Sequence, residues 1–233
     1  MSEGKRKILF SIIVLIFFIF IFFQYVTPYL ISLQIERDMM ASTEQIENLE
    51  VKVDSFPPWK YFYSRIDYLL LKADIIEIDG LLLEDLEAEY ENVVLEEDRI
   101  KGQNTDLTLT ITEEQLNKYL QQIYPRLRNI NITLQSGEVF VDGFITISDT
   151  EINISLQLEI VIRERTRILF IPQNIKVEEL TIPQFFVEGF LEEEDFSFSF
   201  DLKRLNFPLN PERTLITDGK LFLISGRFSE RIE

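Results

Sequence analysis

Arg163, Arg165 and Arg167 stand at every second position and make the one basic cluster in the latter half of the chain. A guanidinium fork matches the oxygens of a phosphate, so this cluster is a candidate for an anionic headgroup. An exposed turn between two strands would collect the same residues. Just before them runs EINISLQLEIVI, in which Ile152, Ile154, Leu156, Leu158, Ile160 and Ile162 alternate with polar residues until Val161. A period of two makes a strand with one apolar and one wet face. A second row of this kind is DFSFSFDL, where Phe196, Phe198, Phe200 and Leu202 alternate with Ser197, Ser199 and Asp201. The chemistry open to such rows is noncovalent. They withdraw an apolar surface from water, either a protein core's or a ligand's.

Covalent chemistry finds little to work with. The chain has no His and no Cys, which removes Ser-His-Asp triads, Cys-His pairs, HExxH zinc sites and disulfide staples. It carries no Gly-rich phosphate loop and no GxSxG elbow. Its 40 Asp and Glu residues fall in alternating positions or in runs such as residues 192–195, the pattern of solvated faces. A glycosidase-like pair of carboxylates brought together by folding stays open, whereas EF-hand spacing is absent. The expectation is a protein without enzymatic activity, cofactor or metal. Net charge is −17, and because the first seven residues hold three basic groups and one Glu, the remainder carries −19. A surface this acidic repels phosphate backbones, so no nucleic-acid partner is expected.

Location is written at the N-terminus. Lys5, Arg6 and Lys7 precede ILFSIIVLIFFIFIFF (residues 8–23), and counting on through Val26 gives a helix just long enough to cross about 30 Å of hydrocarbon. Basic residues stay inside, which places the rest of the chain outside the cytoplasm. A cleaved signal peptide is the competing reading. The apolar run exceeds a typical h-region, and QYVTPYLISL offers no small-x-small site, so an uncleaved anchor is favoured. Residues 1–29 are therefore expected to form a cytoplasmic tip and transmembrane anchor, and 30–233 one extracytoplasmic domain.

The elements that would position the rows follow from periodicity. Thr27-Pro28 predicts a break, after which Ile35, Met39, Ile46 and Leu49 predict an amphipathic helix over residues 30–49. Val51 and Val53 predict a short strand, and WKYFYSRIDYLLL a helical turn running into a strand. Leu86, Ala88 and Tyr90 alternate with Glu87, Glu89 and Glu91. Thr112 to Gln115 reads as a capping box opening a helix over 112–124, with Leu116, Tyr119, Leu120 and Ile123 on one face and Pro125 ending it. Strands resume at Ile130, turn at Ser136-Gly137, and continue to a basic turn over residues 163–167. QFFVEGFLEEED suggests a short helix, and Asp218-Gly219 a closing hairpin. The fold class is α+β, with curved strands folded around something apolar. On periodicity alone, a dry core filled by helix 112–124 is the plainer reading, and a lipid groove would give the same pattern.

The ordered series FPPWKYFYSRIDYLLLKADIIEIDGLLLEDLEAEYENVVLE (56–96), DLTLTITEEQLNKYL (106–120), VFVDGFITI (139–147), VEELTIP (177–183), LNFPLNP (205–211) and ITDGKLFLISG (216–226) resembles the LmeA-like phospholipid-binding family of bacterial envelopes. Ser64 departs from the family pattern, in which Gly is expected before Arg65, and this chain is unusually acidic. The resemblance implies a tubular-lipid-binding-like architecture, a long antiparallel sheet wrapped partly around a helix. It also implies binding of phospholipid acyl chains and no enzymatic activity. Ile152, Ile154, Leu156, Leu158, Ile160, Phe196, Phe198 and Phe200 then become groove candidates, and Arg163, Arg165 and Arg167 headgroup candidates. The alternative is a structural or accessory envelope protein with a filled core, working through protein contacts in cell-wall glycan or glycolipid assembly. The sequence points to no particular protein partner.

Overall fold

The computed structural model describes residues 3–96, 99–123, 130–147, 150–177, 180–182, 198–205 and 207–227. α1 (Glu3–Ile21) runs through a π turn (Phe22–Val26) directly into α2 (Thr27–Ser42). The expected break at Thr27-Pro28 is absent. Pro28 falls in the first turn of α2, where a missing N–H is tolerated, and Thr27 N–H instead reaches back to Phe22 O across the π turn. The segment Arg6–Ala41 is long and apolar enough to cross a membrane.

α2 also stops earlier than the apolar spacing suggests. Thr43 takes an extended backbone, and its Oγ1 donates to Met39 O at 2.8 Å. Ile46 then enters β1 (Ile46–Glu47), paired with Ile76, rather than a fourth helical turn. Ile35 and Met39 are the part of the stripe that is buried, against β2 (Glu50–Asp54). The helix is thus clamped to the domain.

A 3-10 turn (Pro58–Tyr63) leads into β3 (Arg65–Ile78), which pairs along its length with β4 (Leu81–Glu96), and β4 with β5 (Arg99–Thr112). After α3 (Glu113–Ile123) come β6 (Asn131–Gln135), β7 (Glu138–Ile147), β8 (Thr150–Arg163), β9 (Arg167–Val177), β10 (Leu180–Ile182) and β11 (Phe198–Asp201). The hairpin β12 (Arg213–Thr217) and β13 (Lys220–Ser225) closes the described chain. The predicted short helix over QFFVEGFLEEED lies outside the described residues.

These strands make two antiparallel sheets, ordered β1-β3-β4-β5-β13-β12 with β2 also on β3, and β10-β9-β8-β7-β6 with β11 also on β9. Curvature has local causes. Asp85 and Asn92 take left-handed φ of 52° and 54°, within the stretches where the β4–β5 register slips. Short polar residues adopt that conformation most readily, and such bulges bend and twist a strand.

The two sheets meet where β12 abuts β6. Gly219 N–H donates to Leu134 O at 3.0 Å and Gly137 N–H to Ile216 O at 3.1 Å, while Asp218 accepts from the backbone and hydroxyl of Ser136. The result is one curled wall, and α3 lies against β4, β5 and β6 inside it with Leu116, Tyr119 and Leu120 buried. Thr112 Oγ1 accepts from Gln115 N–H at 3.4 Å, as a capping box requires. Ile123, expected on the same face, is exposed. The α+β class is as the pattern predicts, and the antiparallel sheet curled around a helix is as the family resemblance implies.

β6 shows how helix and sheet are locked. Ile132 and Leu134 direct their backbone groups away from β7, toward what would be a raw sheet edge. Asn117 of α3 donates to Ile132 O at 2.8 Å and accepts from Ile132 N–H at 2.6 Å, so its amide stands in for a missing strand. Glu113 accepts from Leu134 N–H at 2.9 Å. Ile132 and Leu134 are buried, and a buried polar group left unpaired costs about 1–3 kcal/mol. Asn117→Ala orphans both polar groups of Ile132, so chemical unfolding should show a loss of about 2–4 kcal/mol, where a solvated helix position would show almost none.

Candidate functional site

Register assembles the predicted rows into one face. Across β6 and β7, Leu134 stands opposite Val139 and Ile132 opposite Val141. Across β7 and β8, Val139 meets Leu158, Val141 meets Leu156, Gly143 meets Ile154 and Ile145 meets Ile152. β9 continues with Phe170 opposite Ile160 and Ile168 opposite Ile162, and β11 places Phe198 on Phe170 and Phe200 on Ile168. An apolar face five strands wide results. Its reverse is wet and laced by side-chain bonds, Gln157 to Glu138 at 2.9 Å and Asn174 to Gln157 at 2.8 Å.

The face is not uniformly covered. Leu156, Leu158, Phe198 and Phe200 are buried along with Ile132, Leu134, Val139, Val141, Ile168 and Phe170. Phe198 stacks on Phe170 with ring centroids 4.1 Å apart, and Phe200 approaches the same ring at 6.3 Å. Ile154, Ile160 and Ile162 are only half-buried. For Ile154 the cause is local, since the Gly143 facing it has no side chain to lay over it. Ile152 extends the row in backbone register, and Phe196 lies outside the described residues.

The three arginines crown one end of this row. Arg163 pairs with Arg167 across the β8–β9 turn, whose Glu164 and Arg165 take left-handed φ of 52° and 65°. All three side chains are exposed. Leu202 N–H donates to Thr166 O at 3.0 Å, bringing the 3-10 turn Leu202–Arg204 alongside. There Lys203 pairs with Glu164 at 3.1 Å and Arg204 with Asp79 of the β3–β4 turn. β3 begins beside the π turn and runs fourteen residues to the β3–β4 turn, so the arginines sit about 40 Å along the strands from the π turn. A half-open apolar line ending at cationic side chains suits an amphiphile with a long chain and an anionic end.

Three features carry weight that periodicity did not signal. Asn117 and Glu113 were readable only as polar helix positions. The stretch over 56–63 read as a turn into a strand, and nothing in its spacing said that its rings face out. Ser64 closes the 3-10 turn in the left-handed region, with φ 54° and ψ 32°.

Fold and face together define an α+β protein whose curled antiparallel sheet presents a broad apolar surface beside a short helix. The chain belongs to the LmeA-like phospholipid-binding family, whose family model matches residues 26–225. No curated protein and no solved structure matched it. The match begins near the end of the apolar helix and runs to the end of β13, so it takes in both sheets. The departure at Ser64 acquires a physical meaning, because the left-handed backbone there is the one glycine adopts freely. Ser64→Gly should relieve about 1–2 kcal/mol of strain and lose about half of that to the freer unfolded chain. A modest rise in the chemical unfolding midpoint is expected, and a fall would show that the serine side chain contributes more than its backbone costs.

Proposed function

We propose that this protein is a membrane-anchored, extracytoplasmic phospholipid-binding protein of a bacterial cell envelope, holding acyl chains for lipid transfer or homeostasis and carrying out no covalent chemistry. The observation that carries the reading is the five-stranded apolar face with its half-buried line Ile154, Ile160 and Ile162. Each methylene moved from water to such a face is worth about 0.8 kcal/mol, so burial of part of one acyl chain suffices for firm binding. The exposed arginines at the end of the row would take the phosphate. Lys5, Arg6 and Lys7 before the apolar helix support a single-pass anchor with a cytoplasmic N-terminus. The absence of His and Cys and the scatter of carboxylates over wet faces favour binding over turnover.

A second reading, a filled core acting through protein contacts, is favoured by the burial of Leu156, Leu158 and Phe170 in the middle of the row. Substitutions divide the two. Leu156→Glu places a charge among buried side chains and should unfold the domain under either reading. Ile154→Glu and Ile160→Glu should leave a folded domain that no longer co-purifies with phospholipid. If both fold and retain the same lipid as the parent, the acyl chains lie elsewhere and the groove reading is lost.

A further inference from the structure

The residues outside the apolar face that demand an occupant are aromatic. Phe56, Trp59, Phe62 and Tyr63 cluster around the 3-10 turn before β3 and are 68%, 58%, 67% and 73% exposed. Four large rings open to water within eight residues is the signature of an interaction surface, not of a surface in solution. Trp59 is the only tryptophan of the chain.

The turn is joined to the N-terminal helix. The Phe62 ring lies 4.8 Å from the ring of Phe23, in the π turn between α1 and α2. Twenty residues counted from Ile8, the first after the basic tip, end at Thr27, which at about 1.5 Å per residue is the thickness of a hydrocarbon core. Phe23 therefore sits about one helical turn inside the edge of that core, and Phe62 with it. Tyr25 and Tyr29, both exposed, lie on either side of that edge. Trp and Tyr concentrate at this depth because their rings prefer the boundary between chains and headgroups.

Charge agrees. Between Asp54 and Asp67 the chain has no acidic residue but has Lys60 and Arg65, in a protein of net charge −17. Asp67 is engaged in holding the turn, accepting from Lys60 Nζ at 2.7 and 2.8 Å and from Phe56 N–H at 2.9 Å. Partial desolvation raises its pKa, but these bonds outweigh it and hold the carboxyl below its ordinary value. The stabilising contribution is present above the ordinary carboxylate pKa and lost as pH falls through the lowered one, so the turn stays pinned at neutral pH.

We propose that Phe56, Trp59, Phe62 and Tyr63 form a membrane seat that inserts into the interfacial layer of the bilayer crossed by the N-terminal helix. The inference rests on the reading of that helix as a span. With Ile35 and Met39 clamped to β2, the seat fixes the domain upright. β3 and β4 then rise from the membrane and carry the Arg163–Arg167 turn to the far end.

Trp59 is its own reporter. The full-length protein is reconstituted into phosphatidylcholine–phosphatidylglycerol vesicles whose lipids are brominated either near the headgroup or near the chain end, and resistance to alkaline extraction is measured on the same vesicles. The seat predicts that headgroup-proximal bromine removes most of the Trp59 emission, chain-end bromine removes less, and aqueous iodide removes little. Phe62→Ser should shift quenching from lipid toward iodide. Emission quenched by iodide and untouched by brominated lipid, in protein that resists extraction, overturns the seat and leaves the span standing. Protein released by alkali loses both.

Discussion

The unpaired edge of β6 is the constraint on which the architecture depends. Two curved sheets in one chain normally need separate edges, each a row of backbone groups seeking partners. Here β6 is the edge strand of one sheet and lies beside β12 at the edge of the other. Yet among the described residues only Gly137 of the β6–β7 turn reaches β12, and only Leu134 reaches the β12–β13 turn, through backbone bonds. The Asn117 amide and the Glu113 carboxylate of α3 satisfy the rest. One helix thereby supplies both the apolar plug for the concave side and the polar seam that closes it. Pulling α3 away would expose an edge as well as a core, which makes the curled shape cooperative.

Local order was largely legible in the sequence. The alternation of Ile152 to Ile162 gave β8 its inward row, the capping box gave α3 its start, and the turns at Ser136-Gly137 and Asp218-Gly219 fell where small and acidic residues favour them. What escaped was set by distance along the chain. Nothing near Asn117 announces that its partner is Ile132, and nothing in KLFLIS says that its second neighbour, besides β12, is β5. The helix expected over 30–49 differs at both ends for a related reason, running from Thr27 to Ser42. Pro28 suggests a stop that the π turn averts, and Ile46 continues a helical spacing that the pairing with Ile76 overrides.

The site was legible as types and not as exposures. Leu156 and Ile160 are equivalent by periodicity, but one is covered and the other half-open, a difference decided by neighbours on β7, β9 and β11. Likewise the arginines belong to a turn by sequence, and only the contact of Arg204 with Asp79 reveals that this turn lies at the end of β3 away from the π turn. Under the proposed function that separation matters: with the apolar helix as a span, a chain lying along the β8 row would have its anionic end well above the bilayer, held free of it rather than half-embedded.

The most direct measurement is native mass spectrometry of residues 30–233, which retain the Ile35 and Met39 contacts that clamp α2, followed by organic extraction. The account predicts phospholipid in near-stoichiometric amount, lost when the half-open line is charged. A folded, monodisperse domain that carries no lipid and takes up none when offered it would contradict the account and make the apolar face a closed core.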